Sequence, residues 1–598
     1  DVSTTDAHGT HVAALAMGRA TNEEGAVIFQ GVAPAAQLLA MKVFPDGDGE
    51  ADDAVIMRAL EDAAALGADV INLSLGTPGG FTGDDVLRDI YNNAFASLRQ
   101  QGIILCCSAG NAAVSTSADT YGSTLPSGGY TDYGTVSAPA TYPGSTAIAS
   151  ADALHYPSQS YIAVGDRKLS FQDATAEDGG TLPSLMDLDG ETLPLVVVPG
   201  LGTAEDFASV DVSGKVALVA RGQLTFTEKA ANAAAAGAVA CLIANNEPGA
   251  IYPTLESTIP CAAISQEDGD YLRALAEEGP VSLTFRDETY SAVYASQPTV
   301  SDFSSWGVTS DLRLLPALTA PGGNVISASV EGDSRYISES GTSMASPNAA
   351  GSFAVMLEAL ADRGITGKEA ADLAEALLES TALVMTDEAC VPLSPRQQGA
   401  GLIQLSDAEE SPLVITDPLV ELGDSTSGYF TMKLTLQNLS DEDITLTRSL
   451  TALTDDYIEE DGRFYSLLAP MDITDSVSVS GPQTVTVPAG GETSVTLTLS
   501  VDSALRRDLA EPFPNGFFTE GFVTFTSEDG TAVHAAFLGY CGDWKAAPIL
   551  SDADFTDVLD AAAQEAEDGE KLAAEDVYAS RDLGEILSYS SNSGIRES

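Results

Sequence analysis

The segment Gly341-Thr342-Ser343-Met344-Ala345-Ser346-Pro347 constrains this chain more than any other. Its glycine permits a tight turn, and Pro347 is placed where a first helical turn tolerates a missing N–H. The small residues that follow, Asn348-Ala349-Ala350-Gly351-Ser352, leave room for another helix to approach closely. Ser343 is therefore expected at a helix N-terminus, where unsatisfied N–H groups and the helix dipole favour negative charge. A serine at such a place is usually only a cap. Here the surrounding seven residues mark its hydroxyl as a candidate nucleophile.

Two further segments carry chemistry. Asp6-Ala7-His8-Gly9-Thr10-His11-Val12-Ala13 lies near the other end of the chain. An imidazole titrates near neutrality, so His8 can take a serine proton and return it to a leaving group. The chain has four histidines (His8, His11, His155, His534), and two of them share this short glycine-containing run. Metal binding is the competing reading, but HGTH lacks the glutamate of a zinc-binding H-E-x-x-H, so no metal site is assigned. Ser108-Ala109-Gly110-Asn111-Ala112 follows an apolar strand. An asparagine after glycine reads by itself as a turn, yet its carboxamide NH₂ can also donate to the oxyanion of a tetrahedral intermediate.

HGTHVA, SAGN and GTSMASP, in this order, closely resemble the histidine, oxyanion and serine motifs of the subtilisin-like (subtilase) serine peptidases. The resemblance implies an α/β fold with a parallel sheet flanked by helices, a polypeptide substrate and no required cofactor. It carries His8 over as general acid/base, Ser343 as nucleophile and Asn111 as oxyanion donor beside the Ser343 N–H. It also implies that Ser74-Leu75-Gly76 and Ser108-Ala109-Gly110 flank an extended peptide that pairs as an added strand. Calcium sites are not readable, because no aspartate loop shows a calcium-ligand spacing. The chain departs from the family in one respect. Subtilases place the triad aspartate upstream of the histidine motif, whereas only seven residues precede His8 and Asp6 is too close in sequence to orient its ring. The expectation is an N-terminally truncated fragment, nearly inactive alone, since loss of that aspartate costs on the order of ten-thousandfold in turnover. A non-catalytic surface binding protein or adhesin on the same scaffold is the alternative, disfavoured by three intact motifs.

The rest of the chain fits a multidomain reading. Residues 1–155 alternate strand-like and helical runs, as a parallel sheet covered on both faces requires. Leu38–Val43, Val70–Leu75 and Ile103–Cys107 read as strands, and 52–66 and 84–101 as amphipathic helices. Texture changes over 156–297, where Gly214–Gly222, Glu228-Lys229-Ala230 and Ala236–Val239 resemble an inserted, β-rich protease-associated (PA) domain. The first texture returns over 298–410. Residues 411–546 then alternate like a β-sandwich, with Gly490-Gly491 as a turn. There Gly516–Val523 and Gly539–Trp544 resemble the fibronectin-III-like domain of cell-envelope peptidases of the lactocepin and streptococcal C5a peptidase type. That likeness implies an extracellular or bacterial cell-surface location and attachment to a cell wall through a region beyond 598. Residues 547–598 read as an acidic linker or a truncated domain.

Composition excludes other classes. Acidic residues outnumber basic ones 88 to 26, for a net charge of -62, so nucleic acid is not a partner. No stretch approaches the roughly twenty apolar residues of a membrane-spanning helix, and no signal peptide is evident. Six cysteines show no framework spacing; Cys106 and Cys107 read as buried thiols, and a Cys241–Cys261 disulfide is one option.

Overall fold

A computed structural model describes residues 7–546 except 23–24, 46–50, 78–84, 114–133, 154, 159, 166, 177–181, 247–250, 252, 288–289, 294–296, 331–334, 388 and 461, and adds three short strands after 578. The chain forms two compact units, one of residues 1–153 with 298–598 and the other of 154–297.

The first unit is organised on four parallel strands, Val70–Leu73, Ile104–Ser108, Thr146–Asp152 and Leu318–Gly323, adjacent in space in chain order. Side chains alternate across the sheet, so successive residues of one strand feed two different cores. Ile104 and Cys106 join Ile148, Leu318 and Phe353 beneath the helix Thr342–Asp362. Leu105 and Cys107 point to the other side, against Ile56 and Leu60 of helix Asp53–Ala65 and Tyr91 and Phe95 of helix Asp85–Gln100. With both faces covered, the strand Ile104–Ser108 is buried throughout, and both thiols are free and buried.

The expected strand at Leu38–Val43 is not formed. The segment has no ladder partner among the described residues, and Leu38 and Leu39 are 50% and 36% exposed. An apolar run becomes a strand only where a neighbour takes its N–H and C=O groups.

Residues 413–542 form two packed sheets. One orders Leu413–Ile415, Tyr429–Asn438, Glu492–Val501 and Val477–Ser480; the other orders Leu419–Asp424, Ala532–Gly542, Gly516–Ser527, Ile444–Glu460 and Arg463–Asp472. Tyr429–Asn438 alternates exposed and buried residues as expected, with Phe430, Met432, Leu434 and Leu436 in the core. Gly516–Ser527 does not alternate, because its second face also finds cover. Phe518 and Phe522, with Leu538 and Tyr540, pack on Val308, Leu312 and Leu314 of the parallel-sheet part. One short helix, Ser503–Asp508, interrupts what the sequence suggests is purely strand.

The second unit, taken by itself, has an eight-stranded sheet whose centre is the parallel run Thr192–Val197, Val216–Ala220, Ala240–Ala244 and Cys261–Ile264. Helix Phe226–Ala235 opens with a capping box, Thr225 to Glu228. The next residue, Lys229, is fully buried, and its ammonium donates to the carbonyls of Leu201 and Ala220. Burial lowers its pKa. Cys241 and Cys261 sit directly opposite one another, yet both are free thiols, so the disulfide option is not taken up.

Two buried imidazoles in the first unit couple its stability to pH. His534 Nε2 donates to Ala400 O at 2.8 Å, and His11 Nε2 lies 3.1 Å from Val325 O. A carbonyl only accepts, so each ring carries its proton on Nε2. Burial depresses both pKa values below the ordinary histidine value. The folded state thus binds fewer protons than the unfolded one. Stability from these groups is complete above an unfolded pKa of about 6.5 and is lost as pH falls towards and through the lower folded values. Thermal unfolding of wild type against His534→Gln checks this. The variant keeps a donor to Ala400 and should lose less Tm than wild type between pH 7 and 5; identical slopes would contradict the assignment.

Candidate active site

The site is built around the start of the helix Thr342–Asp362. Gly341 donates its N–H to Gly322 O at 2.8 Å, tying the turn to the end of the outer parallel strand Leu318–Gly323. Thr342 and Ser343 follow as the first helical residues, so Ser343 stands among the unsatisfied N–H groups of a helix start. It is half-buried.

Pro347 is not in the first turn, as the sequence suggested. It is the sixth helical residue, inside the helix. Proline has no N–H, so the carbonyl four residues earlier, that of Ser343 itself, loses its helical partner. Ser74 Oγ supplies the missing donor at 2.6 Å. Ser74 is held in turn by Asn72 Nδ2 at 3.0 Å, and Asn72 Oδ1 accepts from the buried Ser346 hydroxyl at 2.6 Å. A closed circuit of side chains therefore locks the Ser343 turn to the strand Val70–Leu73. Ser74, expected only to flank substrate, is first a substitute backbone donor. Leu75 and Gly76 continue from it, and Gly76 is exposed.

The Ser108–Ala112 segment meets the same turn. Asn111 Oδ1 accepts from Thr342 N at 2.9 Å and from Thr342 Oγ1 at 3.0 Å, while Gly110 N donates to Thr342 Oγ1 at 3.0 Å. The carboxamide oxygen of Asn111 is committed to Thr342, and its Nδ2 lies 3.4 Å from where a Cβ on Gly341 would stand. Gly110 has φ +111, and a Cβ there would lie 2.2 Å from Ser137 Oγ and 2.7 Å from Ser305 Oγ. Only glycine passes this bend.

Ser108-Ala109-Gly110 cannot pair with a peptide as an added strand. Ala109 N donates to Ile148 O and Gly110 N to Thr342 Oγ1, so the required N–H groups are already used. Ser108 and Ala109 are buried within the sheet. The segment can serve as a wall beside a ligand, not as an edge.

His8 opens the helix His8–Met17 and is exposed. This helix reaches the serine helix where Gly351 allows it, since a Cβ on Gly351 would meet Ala16 O at 3.0 Å and Val32 Cβ at 2.6 Å. His11, one turn beyond His8, has the structural role. Its ring and carbonyl bind the hairpin of Val325–Ala328 and Tyr336–Glu339 through Val325 O and Ser327 Oγ. That hairpin leads directly into Ser340 and the serine turn. Asp6 lies outside the described residues.

Sequence reasoning missed Thr342, Asn72 and Ser346. Asn72 left a readable trace, because asparagine is disfavoured within an apolar strand. Among the described residues no group of three or more His, Cys, Asp or Glu side chains is arranged to hold a metal.

The subtilase family model matches residues 1–401, and an Fn3-like domain model matches 420–537. The chain is 32% identical over 599 residues to a PII-type proteinase of Lacticaseibacillus paracasei, covering 92% of this chain and 30% of that protein. It is 31% identical to a PI-type proteinase of Lactococcus lactis subsp. cremoris, with the same coverage. A C5a peptidase of Streptococcus pyogenes serotype M1 is 32% identical over 554 residues, covering 90% of this chain and 44% of that one. The chain thus spans less than half the length of these relatives.

The role found for Ser74 is testable. Ser74→Ala leaves the Ser343 carbonyl without a donor, which costs about 1–3 kcal/mol. Chemical denaturation should show that loss, with Ser74→Thr recovering most of it. Equal stability of wild type and Ser74→Ala would show that the carbonyl does not depend on this hydroxyl.

Proposed function

The chain belongs to the subtilase family, and we propose that it is an endopeptidase that cleaves extended polypeptides through an acyl-enzyme on Ser343. In this reading His8 takes the Ser343 proton as the hydroxyl attacks the scissile carbonyl, then gives it to the leaving amine. Water repeats the cycle to release the acyl group. The tetrahedral oxyanion is bound by the Ser343 N–H and Asn111 Nδ2.

One observation carries the proposal: Thr342 holds the Asn111 carboxamide by its oxygen, directly beside the start of the serine helix. The donor is aimed before substrate arrives, so little reorganisation is needed when charge develops. Removing one such donor costs about 10²–10³ in turnover.

Leu75 and Gly76 are proposed as the edge on which the peptide pairs, with Ser108–Gly110 as the facing wall. The compact unit of 154–297 is proposed to be a PA domain that governs substrate access. Relatives named as proteinases and as a C5a peptidase support a protein substrate. They also favour an extracellular or cell-surface setting, with attachment to a cell wall part of the same proposal. No helix among the described residues is long and apolar enough to cross a membrane.

A fluorophosphonate probe tests the assignment on the full-length protein. Wild type should label covalently and Ser343→Ala should not, with Asn111→Ala slowed about 10²–10³-fold. Equal labelling of wild type and Ser343→Ala would place the nucleophile elsewhere. An unreactive wild type would favour a binding protein on a peptidase scaffold.

A further inference from the structure

A fully buried arginine joins the β-sandwich to the oxyanion loop. Arg396 lies in the short helix Pro395–Gln398 and has no exposed surface. Its Nε donates to Glu520 Oε2 at 2.9 Å and its Nη2 to Glu520 Oε1 at 3.0 Å, a bidentate pair. Nη2 also reaches Asp455 Oδ1 at 2.5 Å, and Ser394 Oγ donates to Glu520 Oε1 at 2.7 Å. The guanidinium lies 4.0 Å from the Phe518 ring centre and 5.7 Å from that of Trp306. Asp455, Phe518 and Glu520 all belong to the sandwich; Arg396 and Trp306 do not.

From Arg396 the contacts run to Asn111. Its carbonyl accepts from Gly307 N at 2.8 Å. The preceding residues, 303–306, clamp the oxyanion loop through four hydrogen bonds. Ser305 N donates to Gly110 O, Ala112 N to Ser305 Oγ, Ala113 N to Phe303 O and Trp306 N to Ala113 O, all at 2.9–3.1 Å. Asn111 is the centre of the clamped stretch.

The sandwich makes a second contact with this clamp. Pairing of Ile444–Glu460 with Arg463–Asp472 slips between Asp455 and Tyr457, so three residues bulge between Ser466 and Pro470. At the middle of the bulge Leu468 has φ +54 and packs on Trp306. A leucine in the left-handed region costs about 1–3 kcal/mol and persists only where its surroundings require it. The same bulge borders Asp455, the partner of Arg396.

We propose that the β-sandwich is part of the catalytic apparatus, with Arg396, Trp306 and Leu468 as positioning residues that hold Asn111 for the oxyanion. This rests on the peptidase reading of the Ser343 site. A burial contact that only held the domains together would have no need of a strained leucine against a segment that makes four hydrogen bonds to the oxyanion loop.

Double-mutant cycles on the rate of fluorophosphonate labelling test it, with Tm measured for each variant of the full-length protein. Leu468→Gly relieves the φ strain while removing the Trp306 contact, and Arg396→Lys keeps charge but loses the bidentate fork. In the wild-type background each should slow labelling about tenfold, Leu468→Gly with Tm essentially unchanged. In the Asn111→Ala background each should slow it less than about twofold, because the group they position is gone. Equal slowing in both backgrounds, or none in wild type, overturns the inference alone. If Asn111→Ala by itself labels at the wild-type rate, the oxyanion assignment fails and the inference falls with it.

Discussion

The site depends on Thr342. Its N–H and hydroxyl both donate to Asn111 Oδ1, and its hydroxyl accepts from Gly110 N, across 231 residues of sequence. One buried side chain thereby closes the Ser108–Ala112 segment onto the Ser343 turn. These bonds orient the carboxamide as well as locating it, with its oxygen turned to Thr342. Because the environment is largely buried, the geometry is also energetically expensive to disturb.

A second feature follows from the proline that makes the serine motif so recognisable. Pro347 removes the helical donor to the carbonyl of Ser343, and a serine 269 residues away replaces it. The exchange takes one carbonyl out of the helical ladder and ties Ser343 to the segment that follows the strand Val70–Leu73. The residues that align Ser343 are consequently spread over the strand end, the serine helix and the Ser108–Ala112 loop. Rigid elements hold all of them, as a site that must be accurate to a fraction of an ångström requires.

Much of this was legible beforehand, for reasons that differ by residue. Strands such as Ile104–Ser108 declared themselves because burial on both faces demands an unbroken apolar run. Ser343, His8 and Asn111 stood out because glycine and proline punctuate them at fixed offsets. The role of Ser74 does not show in the sequence, since a hydroxyl that replaces a backbone donor is defined by a carbonyl distant in sequence. Thr342 was hidden inside its own motif. Pro347 was misplaced by a turn, because the helix starts earlier than the proline alone suggests. Leu38–Val43 has a strand's composition, yet pairing is a property of two segments and cannot be read from one. The second buried face of Gly516–Ser527 was likewise invisible, being made by Val308, Leu312 and Leu314.

The proposed chemistry turns on where the oxyanion sits. A crystal structure of the full-length protein with a phosphonate adduct trapped on its nucleophile measures this directly. The adduct should be on Ser343 Oγ, with the phosphoryl oxygen about 2.7–3.1 Å from both Asn111 Nδ2 and Ser343 N, and Asn111 Oδ1 still on Thr342. A phosphoryl oxygen turned away from Asn111, or a carboxamide released from Thr342, would contradict it.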